Sequence, residues 1–240
     1  MIRMMMVGLA LLAPAAWAGE GAALPHKDWG FEGVRATWDK DELYRGYTVA
    51  TQVCMACHSF KYVSHRDLMR VGFTESEVQT LAKALNMDMN AKLKTGMDDA
   101  TAKETFGKVP PDLSLMNRAR PGGADYTYAL MHGYSDDSAT IVKYLPGGVP
   151  QGAYFNTYYP GHAIAMANPL SGPGLVTYHD GKEATVDQMA HDVSVFMQWT
   201  AEPERMDRQA WGVYVLIYLF IFTVLAYLTK RVIWKDVKKH

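Results

Sequence analysis

The sequence predicts a mostly α-helical protein in which an exported domain with long irregular loops is followed by one C-terminal transmembrane helix. Three observations support this fold class. The chain of 240 residues begins with the pattern of an export signal, it ends with a long uncharged apolar run, and helical periodicity dominates the segments between them. A chain of this length is sufficient for one domain of ordinary size with appendages.

The N-terminus has the layout of a secretory signal peptide. Arg3 supplies a positive start, residues 4–12 form an apolar run, and Ala16-Trp17-Ala18 has the A-x-A cleavage pattern. Residues 1–18 are therefore predicted to be cleaved, which leaves an exported domain over residues 19–208. A short cleavable signal, rather than a long targeting presequence, indicates a bacterial source.

The C-terminal apolar run WGVYVLIYLFIFTVLAYLT covers residues 211–229 without a charge. As a helix it is about 28 Å long, close to the ~30 Å hydrocarbon thickness of a bilayer. Basic residues follow it: Lys230, Arg231, Lys235, Lys238 and Lys239. The sequence predicts a transmembrane helix over 209–232 and a cytoplasmic basic tail over 233–240, with the exported domain on the periplasmic side of the inner membrane.

The charge balance excludes one class of partner. Lys and Arg total 24 against 25 for Asp and Glu, so the chain has no basic field that would attract nucleic acid. Membrane lipid, in contact with the C-terminal helix, is the partner that the composition does predict.

Between the two ends, apolar spacing and capping residues predict four helices, at 39–57, 74–85, 125–132 and 185–200. The first of these leads directly into the cysteines. Residues 86–109 are polar and weakly periodic, which predicts a surface excursion. Residues 143–174 are rich in Gly, Pro, Tyr and Asn, and predict a long irregular loop of the kind that often carries function.

Both cysteines of the chain lie in CMACHSF, at residues 54–60. Cys54-Met55-Ala56-Cys57-His58 has the C-x-x-C-H form of covalent c-type haem attachment, in which two thiols bond to the porphyrin and the adjacent histidine coordinates iron. A tetrahedral zinc site needs a second ligand cluster, and a thioredoxin-like dithiol needs a βαβ pattern; the sequence contains neither. A disulfide is possible in an exported protein but gives no reason for His58.

A second axial ligand would separate electron transfer from ligand binding or catalysis, because a methionine closes the iron and raises its potential. Most of the 15 methionines have ordinary packing roles. Met166 differs, since it stands in YYPGHAIAMANPLSGPG, where prolines and glycines impose an irregular backbone able to lie across a porphyrin. His162 is the rival ligand in the same loop, so the residues alone leave two candidates.

Several blocks together resemble the cytochrome c1 family, the haem subunit of quinol–cytochrome c oxidoreductase (cytochrome bc1) complexes. The blocks occur in the family's order over almost the whole mature chain: CMACHSF, PPDLS at 110–114, RARPGGADY at 118–126, FNTYYPGHAIAMANPL at 155–170 and WTAEPE at 199–204. The resemblance implies a class I-like cytochrome c domain that carries one covalently attached haem c.

The resemblance also implies roles for particular residues. Met166 would be the sixth ligand, opposite His58. Arg118 or Arg120, with Tyr126, would lie by the haem propionates, which need guanidinium or hydroxyl partners when partly buried. The haem pocket would be lined by Pro110 and Pro111.

The implied function is one-electron transfer from a Rieske iron–sulfur protein to a soluble c-type cytochrome. The chain would act beside cytochrome b in a dimeric complex and would not itself be the site of quinol chemistry. Asp98, Asp99, Asp136 and Asp137 could steer a basic partner, or could simply be a solvated acidic surface.

Two alternative functions would require different features of the sequence or of the haem site. A membrane-anchored cytochrome c subunit of a terminal oxidase or nitric oxide reductase should lack the PPDLS and GHAIAMANPL blocks. A catalytic or ligand-sensing haem protein, such as a peroxidase, needs an open iron face and therefore no strong methionine ligand.

One departure from the family concerns the loop before Met166. Some bacterial members carry an extra cysteine pair there, whereas this chain has no cysteine beyond the haem pair. The sequence therefore predicts that Tyr154, Phe155, Tyr158 and Tyr159 stiffen this loop by packing.

Overall fold

The computed structural model describes residues 22–33 and 36–235. The predicted signal peptide, 1–18, lies outside the described residues, as does the end of the basic tail. The helices are α1 (Lys40–Gln52), α2 (Glu75–Ala84), α3 (Asp99–Phe106), α4 (Met116–Ala119), α5 (Gly123–His132), α6 (Ser138–Tyr144), α7 (Val186–Ala201) and α8 (Arg205–Ile233). The strands are β1 (Phe60–Ser64), β2 (Lys92–Leu93), β3 (Tyr154–Phe155) and β4 (Ala163–Ile164).

The core of the domain is the crossing of α1 over α7. At the crossing point Gly46 of α1 meets α7 so closely that a Cβ atom on Gly46 would lie 2.1 Å from the Asp192 carbonyl oxygen and 2.7 Å from the Phe196 Cβ. Phe196 also packs edge-on against Phe60 of β1, with ring centroids 5.5 Å apart. Gly46 therefore permits this close approach because glycine has no side chain.

Capping residues set three of the helix starts, and two of these caps, Thr74 and Thr185, are predicted from the sequence. Asp39 accepts the Glu42 N–H, Thr74 and Glu77 form a reciprocal capping box, and Thr185 accepts the Gln188 N–H. The predicted helices over 74–85, 125–132 and 185–200 are confirmed to within about two residues at each end, the usual uncertainty of helix boundaries.

Two predictions are wrong in part. The first helix does not run to Cys57: it ends at Gln52, and a separate 3-10 turn, Cys54–Ala56, carries the cysteines. Residues 86–109 are more than a surface excursion, because β2 pairs antiparallel with β1 and α3 follows it. The weak apolar periodicity of residues 86–109 gave no signal for β2 or α3. A strand of two residues is also too short to show alternation.

The residues 143–174 are mostly irregular, as predicted, apart from the end of α6 and one short hairpin. In that hairpin Tyr154 pairs with Ile164 and Phe155 with Ala163. Tyr154 is 49% exposed, so the prediction that it stiffens the loop by packing is wrong. Phe155 does pack, at 3% exposure.

The last helix, α8, is long and apolar enough to cross a membrane, and no other helix in the described part of the chain meets that test. It begins at Arg205, four residues before the predicted start of the span. Its apolar side chains project outward without covering contacts, as Leu216 and Phe220 illustrate at 69% and 71% exposure. Such a surface fits lipid better than water.

A Gly46→Ala substitution tests the helix crossing. The added methyl group has no room between α1 and α7, so we expect a loss of unfolding free energy of about 1–3 kcal/mol or more. The measurement is the denaturant midpoint of the detergent-solubilised, haem-loaded full chain. Gly96→Ala is the control, because no atom lies within 4 Å of its added Cβ. Equal midpoints for the two variants would contradict the proposed crossing.

Candidate haem-binding site

The C-x-x-C-H segment forms a tight turn directly after α1. The Cys57 N–H and the His58 N–H both donate to the Cys54 carbonyl, at 3.1 and 2.9 Å. This geometry holds the two thiols and the imidazole within one turn of backbone, and both thiols are free. Because α1 is fixed by its crossing with α7, the whole turn is fixed relative to the core.

His58 has a defined orientation and tautomer. Its Nδ1 lies 2.8 Å from the Pro111 carbonyl oxygen, which can only accept, so Nδ1 carries the hydrogen and donates it. Burial lowers the pKa of His58, although the bond to Pro111 acts in the opposite sense, and the ring is neutral at pH 7. The remaining nitrogen, Nε2, is therefore free of a proton and able to coordinate a metal.

The PPDLS block is held beside the attachment turn by a short series of backbone contacts. The Leu113 N–H donates to the Ser59 carbonyl at 2.8 Å, and the Lys61 N–H donates to the Asp112 carboxylate at 2.8 Å. Pro111 is thus presented to His58 by the two residues that follow it, Asp112 and Leu113. Pro110 lines a cavity of about 160 Å³ next to Cys57.

The donor set fits covalent haem. Burial raises the pKa of the Cys54 thiol to about 12, so in the free protein this thiol is protonated at neutral pH. Across residues 22–33 and 36–235, no group of three or more His, Cys, Asp and Glu side chains is arranged to hold a metal ion. Two thiols and one oriented imidazole are what a c-type haem requires.

Arg118 and Arg120 have different surroundings. Arg118 forms an ion pair with Glu202, with its Nη1 3.1 Å from the carboxylate oxygen. Arg120 lies beside Tyr126. Burial raises the pKa of Tyr126, and the Arg120 guanidinium opposes that shift. The sequence could not distinguish these two arginines, because Glu202 is distant along the chain.

Met166 lies half-buried two residues after β4. Its carbonyl accepts a hydrogen bond of 3.1 Å from the hydroxyl of Tyr134, a residue that sequence reasoning missed. His162, the rival ligand, has its Nδ1 2.9 Å from the Thr157 carbonyl and so donates that hydrogen within its own turn. Its ring also packs against Tyr144, with centroids 4.7 Å apart.

The fold and the attachment site together define a c-type cytochrome with a C-terminal helix that fits a membrane anchor. Residues 29–237 match the Cytochrome C1 family, and the chain belongs to that family. Its members carry a covalently attached haem c. The predicted family and cofactor are therefore confirmed, and with them the mostly helical class I-like cytochrome c fold with one long apolar C-terminal helix.

Several named proteins are similar over most of this chain. Cytochrome c1 of Rhodospirillum rubrum is 39% identical over 93% of this chain and 92% of its own length. The cytochrome b-c1 complex catalytic subunit of Candida albicans mitochondria is 37% identical over 92% and 81%. A protein of Bradyrhizobium diazoefficiens named cytochrome b/c1 is 34% identical, and the match covers 91% of this chain and 37% of that protein. The bacterial relatives support the predicted bacterial source.

Replacing the cysteines tests the attachment turn. Either Cys54→Ala or Cys57→Ala leaves one thioether bond to haem, and the double variant leaves none. We expect acidified acetone to extract haem from the denatured double variant but not from the parent or from a Met55→Leu control. Haem that stays with the denatured double variant would place the covalent bond elsewhere.

Proposed function

We propose that this chain carries one electron at a time from a Rieske iron–sulfur protein to a soluble c-type cytochrome, as the c1 subunit of a quinol–cytochrome c oxidoreductase. The observation that carries the proposal is the His58–Pro111 hydrogen bond, which fixes an imidazole at a C-x-x-C-H turn in a chain of the cytochrome c1 family. When bound, haem supplies an iron that alternates between two oxidation states.

The protein's first contribution is the proximal ligand. By donating from Nδ1 to a backbone carbonyl, His58 keeps its ring plane fixed and its Nε2 electron-rich. A backbone carbonyl cannot move without moving the PPDLS segment, which is itself tied to residues 59–61. We infer that this arrangement limits ligand movement between the two oxidation states, as fast electron transfer requires.

Met166 is proposed as the second axial ligand. A thioether stabilises the reduced iron and occupies the face where a catalytic haem protein would bind its substrate. Tyr134 supports this role by holding the Met166 carbonyl. His162 is the weaker candidate, because its Nδ1–H and its ring are both engaged within the hairpin turn.

We propose Arg120 and Tyr126 as the propionate partners, in preference to Arg118. Arg118 already has a carboxylate partner in Glu202, whereas Arg120 lies next to the buried Tyr126 hydroxyl. A cation and a hydroxyl at this place would offset the cost of partly burying a carboxylate.

The proposed setting is the bacterial inner membrane, with the haem domain periplasmic and the C-terminus cytoplasmic. The charges beside α8 support this orientation: Arg205 and Arg208 pair with Glu202 on the domain side, while Lys230 and Arg231 lie at the other end. A relative named cytochrome b/c1 supports cytochrome b as a neighbouring partner, and a dimeric complex is part of the same proposal.

Four exposed acidic residues are candidates for steering the soluble cytochrome: Asp98, Asp99, Asp136 and Asp137. Asp98 and Asp137 also cap helices, accepting N–H bonds from the first turns of α3 and α6. The Thr101 N–H and hydroxyl lower the pKa of Asp98, and the Thr140 hydroxyl and N–H lower the pKa of Asp137, so both carboxyls stay charged. A capping role therefore does not remove their long-range attraction for a basic partner.

Met166→Leu tests the ligand. Loss of the thioether should lower the reduction potential by on the order of 0.2 V, a fraction of the ~0.8 V over which axial ligands set haem potentials. The reduced variant should also bind carbon monoxide at neutral pH, and quinol-driven cytochrome c reduction should stop. The control is Met69→Leu, which changes an exposed methionine on another surface. An unchanged potential and no carbon monoxide binding in Met166→Leu would rule out Met166.

Arg120→Gln and Arg118→Gln separate the two arginines. We expect Arg120→Gln to lower the reduction potential, because the variant loses a positive charge beside the haem propionates. That charge disfavours the oxidised iron, which carries the larger positive charge. Arg118→Gln should leave the potential unchanged and cost about 0–1 kcal/mol of stability, as for an ion pair at the surface. Redox titration and thermal unfolding of the full chain measure both. The reverse pattern of potentials would assign the propionates to Arg118.

A further inference from the structure

The position of Met166 depends on where one short hairpin is held. Met166 follows β4 by two residues, and β4 pairs only with the two residues of β3. A ladder of this size does not fix its own location, because isolated two-stranded hairpins are marginal at best. Something outside the ladder must therefore hold the hairpin against the domain.

Asn156, the first residue after β3, is the side chain that makes this connection. It is fully buried, and its amide makes three hydrogen bonds to backbone. Nδ2 donates to the Leu130 carbonyl of α5 at 2.8 Å. Oδ1 accepts from the Tyr158 and Tyr159 N–H groups at 3.0 and 3.2 Å. One amide thus shapes the hairpin turn and joins it to α5.

Gly133 shows how closely this amide approaches the end of α5. The backbone of Gly133 has φ −79° and ψ −8°, a conformation open to any residue. A Cβ atom there would nevertheless lie 2.3 Å from Asn156 Oδ1. The Gly133 carbonyl in turn accepts the Thr157 N–H at 2.8 Å. Gly133 therefore leaves room for Asn156 and adds a second bond to the same turn.

Tyr134, the next residue, holds the other end of the loop. Its backbone forms an antiparallel bridge with Asn156, and its hydroxyl donates to the Met166 carbonyl at 3.1 Å. Gly133 and Tyr134 thus contact the chain on both sides of β4, at the start of the turn and at Met166. A displacement of Asn156 would be transmitted to Met166 along the nine residues between them.

The turn between the strands is strained and needs such support. His162 has φ +58°, in the left-handed region that non-glycine residues rarely adopt. Its carbonyl accepts the Asn156 N–H at 3.0 Å, so the strained residue closes the turn on Asn156 itself.

We propose that Asn156 is a positioning residue for the axial methionine: by clamping the β3–β4 hairpin to α5 it keeps the Met166 thioether on the iron. This role rests on the proposed assignment of Met166 as a ligand.

The test uses Asn156→Asp in the haem-loaded full chain in detergent. The carboxylate can still accept from Tyr158 and Tyr159, but it puts an oxygen where Nδ2 donated to Leu130. Loss of one buried hydrogen bond should raise the ratio of methionine-free to methionine-ligated protein about tenfold. The readouts are the weak red charge-transfer band of methionine-ligated ferric haem and carbon monoxide binding to the reduced protein.

Asn168→Asp is the matched control. Asn168 lies in the same loop and is exposed, and its side chain accepts only the nearby Leu170 N–H at 3.0 Å, an interaction that a carboxylate retains. We expect this variant to keep the band and to exclude carbon monoxide. A band loss equal to that of Asn156→Asp would show that any charge in the loop releases the ligand, and would overturn the positioning role.

Two further variants keep the proposal testable if Asn156→Asp does not fold. Tyr134→Phe removes a single hydroxyl from the same clamp. Gly133→Ala forces Asn156 away, while Gly172→Ala, which meets no atom within 4 Å, serves as its control. We expect Tyr134→Phe and Gly133→Ala to weaken the band and Gly172→Ala to leave it unchanged. Parent-like bands in both clamp variants would contradict the proposal.

Met166→Leu separates failure of this inference from failure of the proposed function. If Met166→Leu keeps the band, Met166 is not the ligand and both proposals fall. If Met166→Leu loses the band while the Asn156, Tyr134 and Gly133 variants keep it, the ligand assignment stands and only the positioning role is wrong.

Discussion

The close approach of α1 to α7 at Gly46 is the constraint on which the rest of the site depends. It is accompanied by a buried charge cluster, in which Arg45 donates to Asp192 at 3.0 Å and to Asp180 at 2.7 Å. Burial raises the pKa of Asp192, and the Arg45 guanidinium opposes that shift. A buried pair of this kind adds little net stability, but it penalises other registers of the two helices. The turn with the haem cysteines begins where α1 ends, so its place follows from this one crossing.

The two proposed axial ligands are supported by different physical means. His58 is oriented by the Pro111 carbonyl, and the residues that follow Pro111 are hydrogen-bonded to the segment after the cysteines. Met166 follows a strand of two residues, and in our proposal its position depends on the side-chain amide of Asn156 and the hydroxyl of Tyr134. The proximal side is therefore expected to be the stiffer one, and the methionine side to be the place where sequence changes alter the potential.

The sequence predicts the elements whose signal is local. The C-x-x-C-H motif, the capping box at Thr74, the N-cap at Thr185 and the apolar C-terminal helix each lie within one short window, and the two helix starts and the apolar helix agree with the structure. The sequence does not predict the end of α1, because the amino-acid composition of the 3-10 turn at Cys54 does not distinguish it from a continued helix. The sequence could not predict the hydrogen-bond partners of His58 and Asn156 either. The His58–Pro111 bond joins residues 53 positions apart, and the Asn156–Leu130 bond joins residues 26 positions apart. Both acceptors are backbone carbonyls, which every residue carries. The PPDLS block indicated the right segment, although it could not show that Pro111 acts through its carbonyl.

We propose that His58 and Met166 close both faces of one iron, which makes the protein an electron carrier rather than a catalyst. X-ray absorption at the iron edge of the purified full chain tests this claim most directly. The account predicts a sulfur neighbour in addition to the pyrrole and imidazole nitrogens, in both oxidation states. A spectrum with nitrogen or oxygen alone in the axial positions, or a five-coordinate iron, would contradict it.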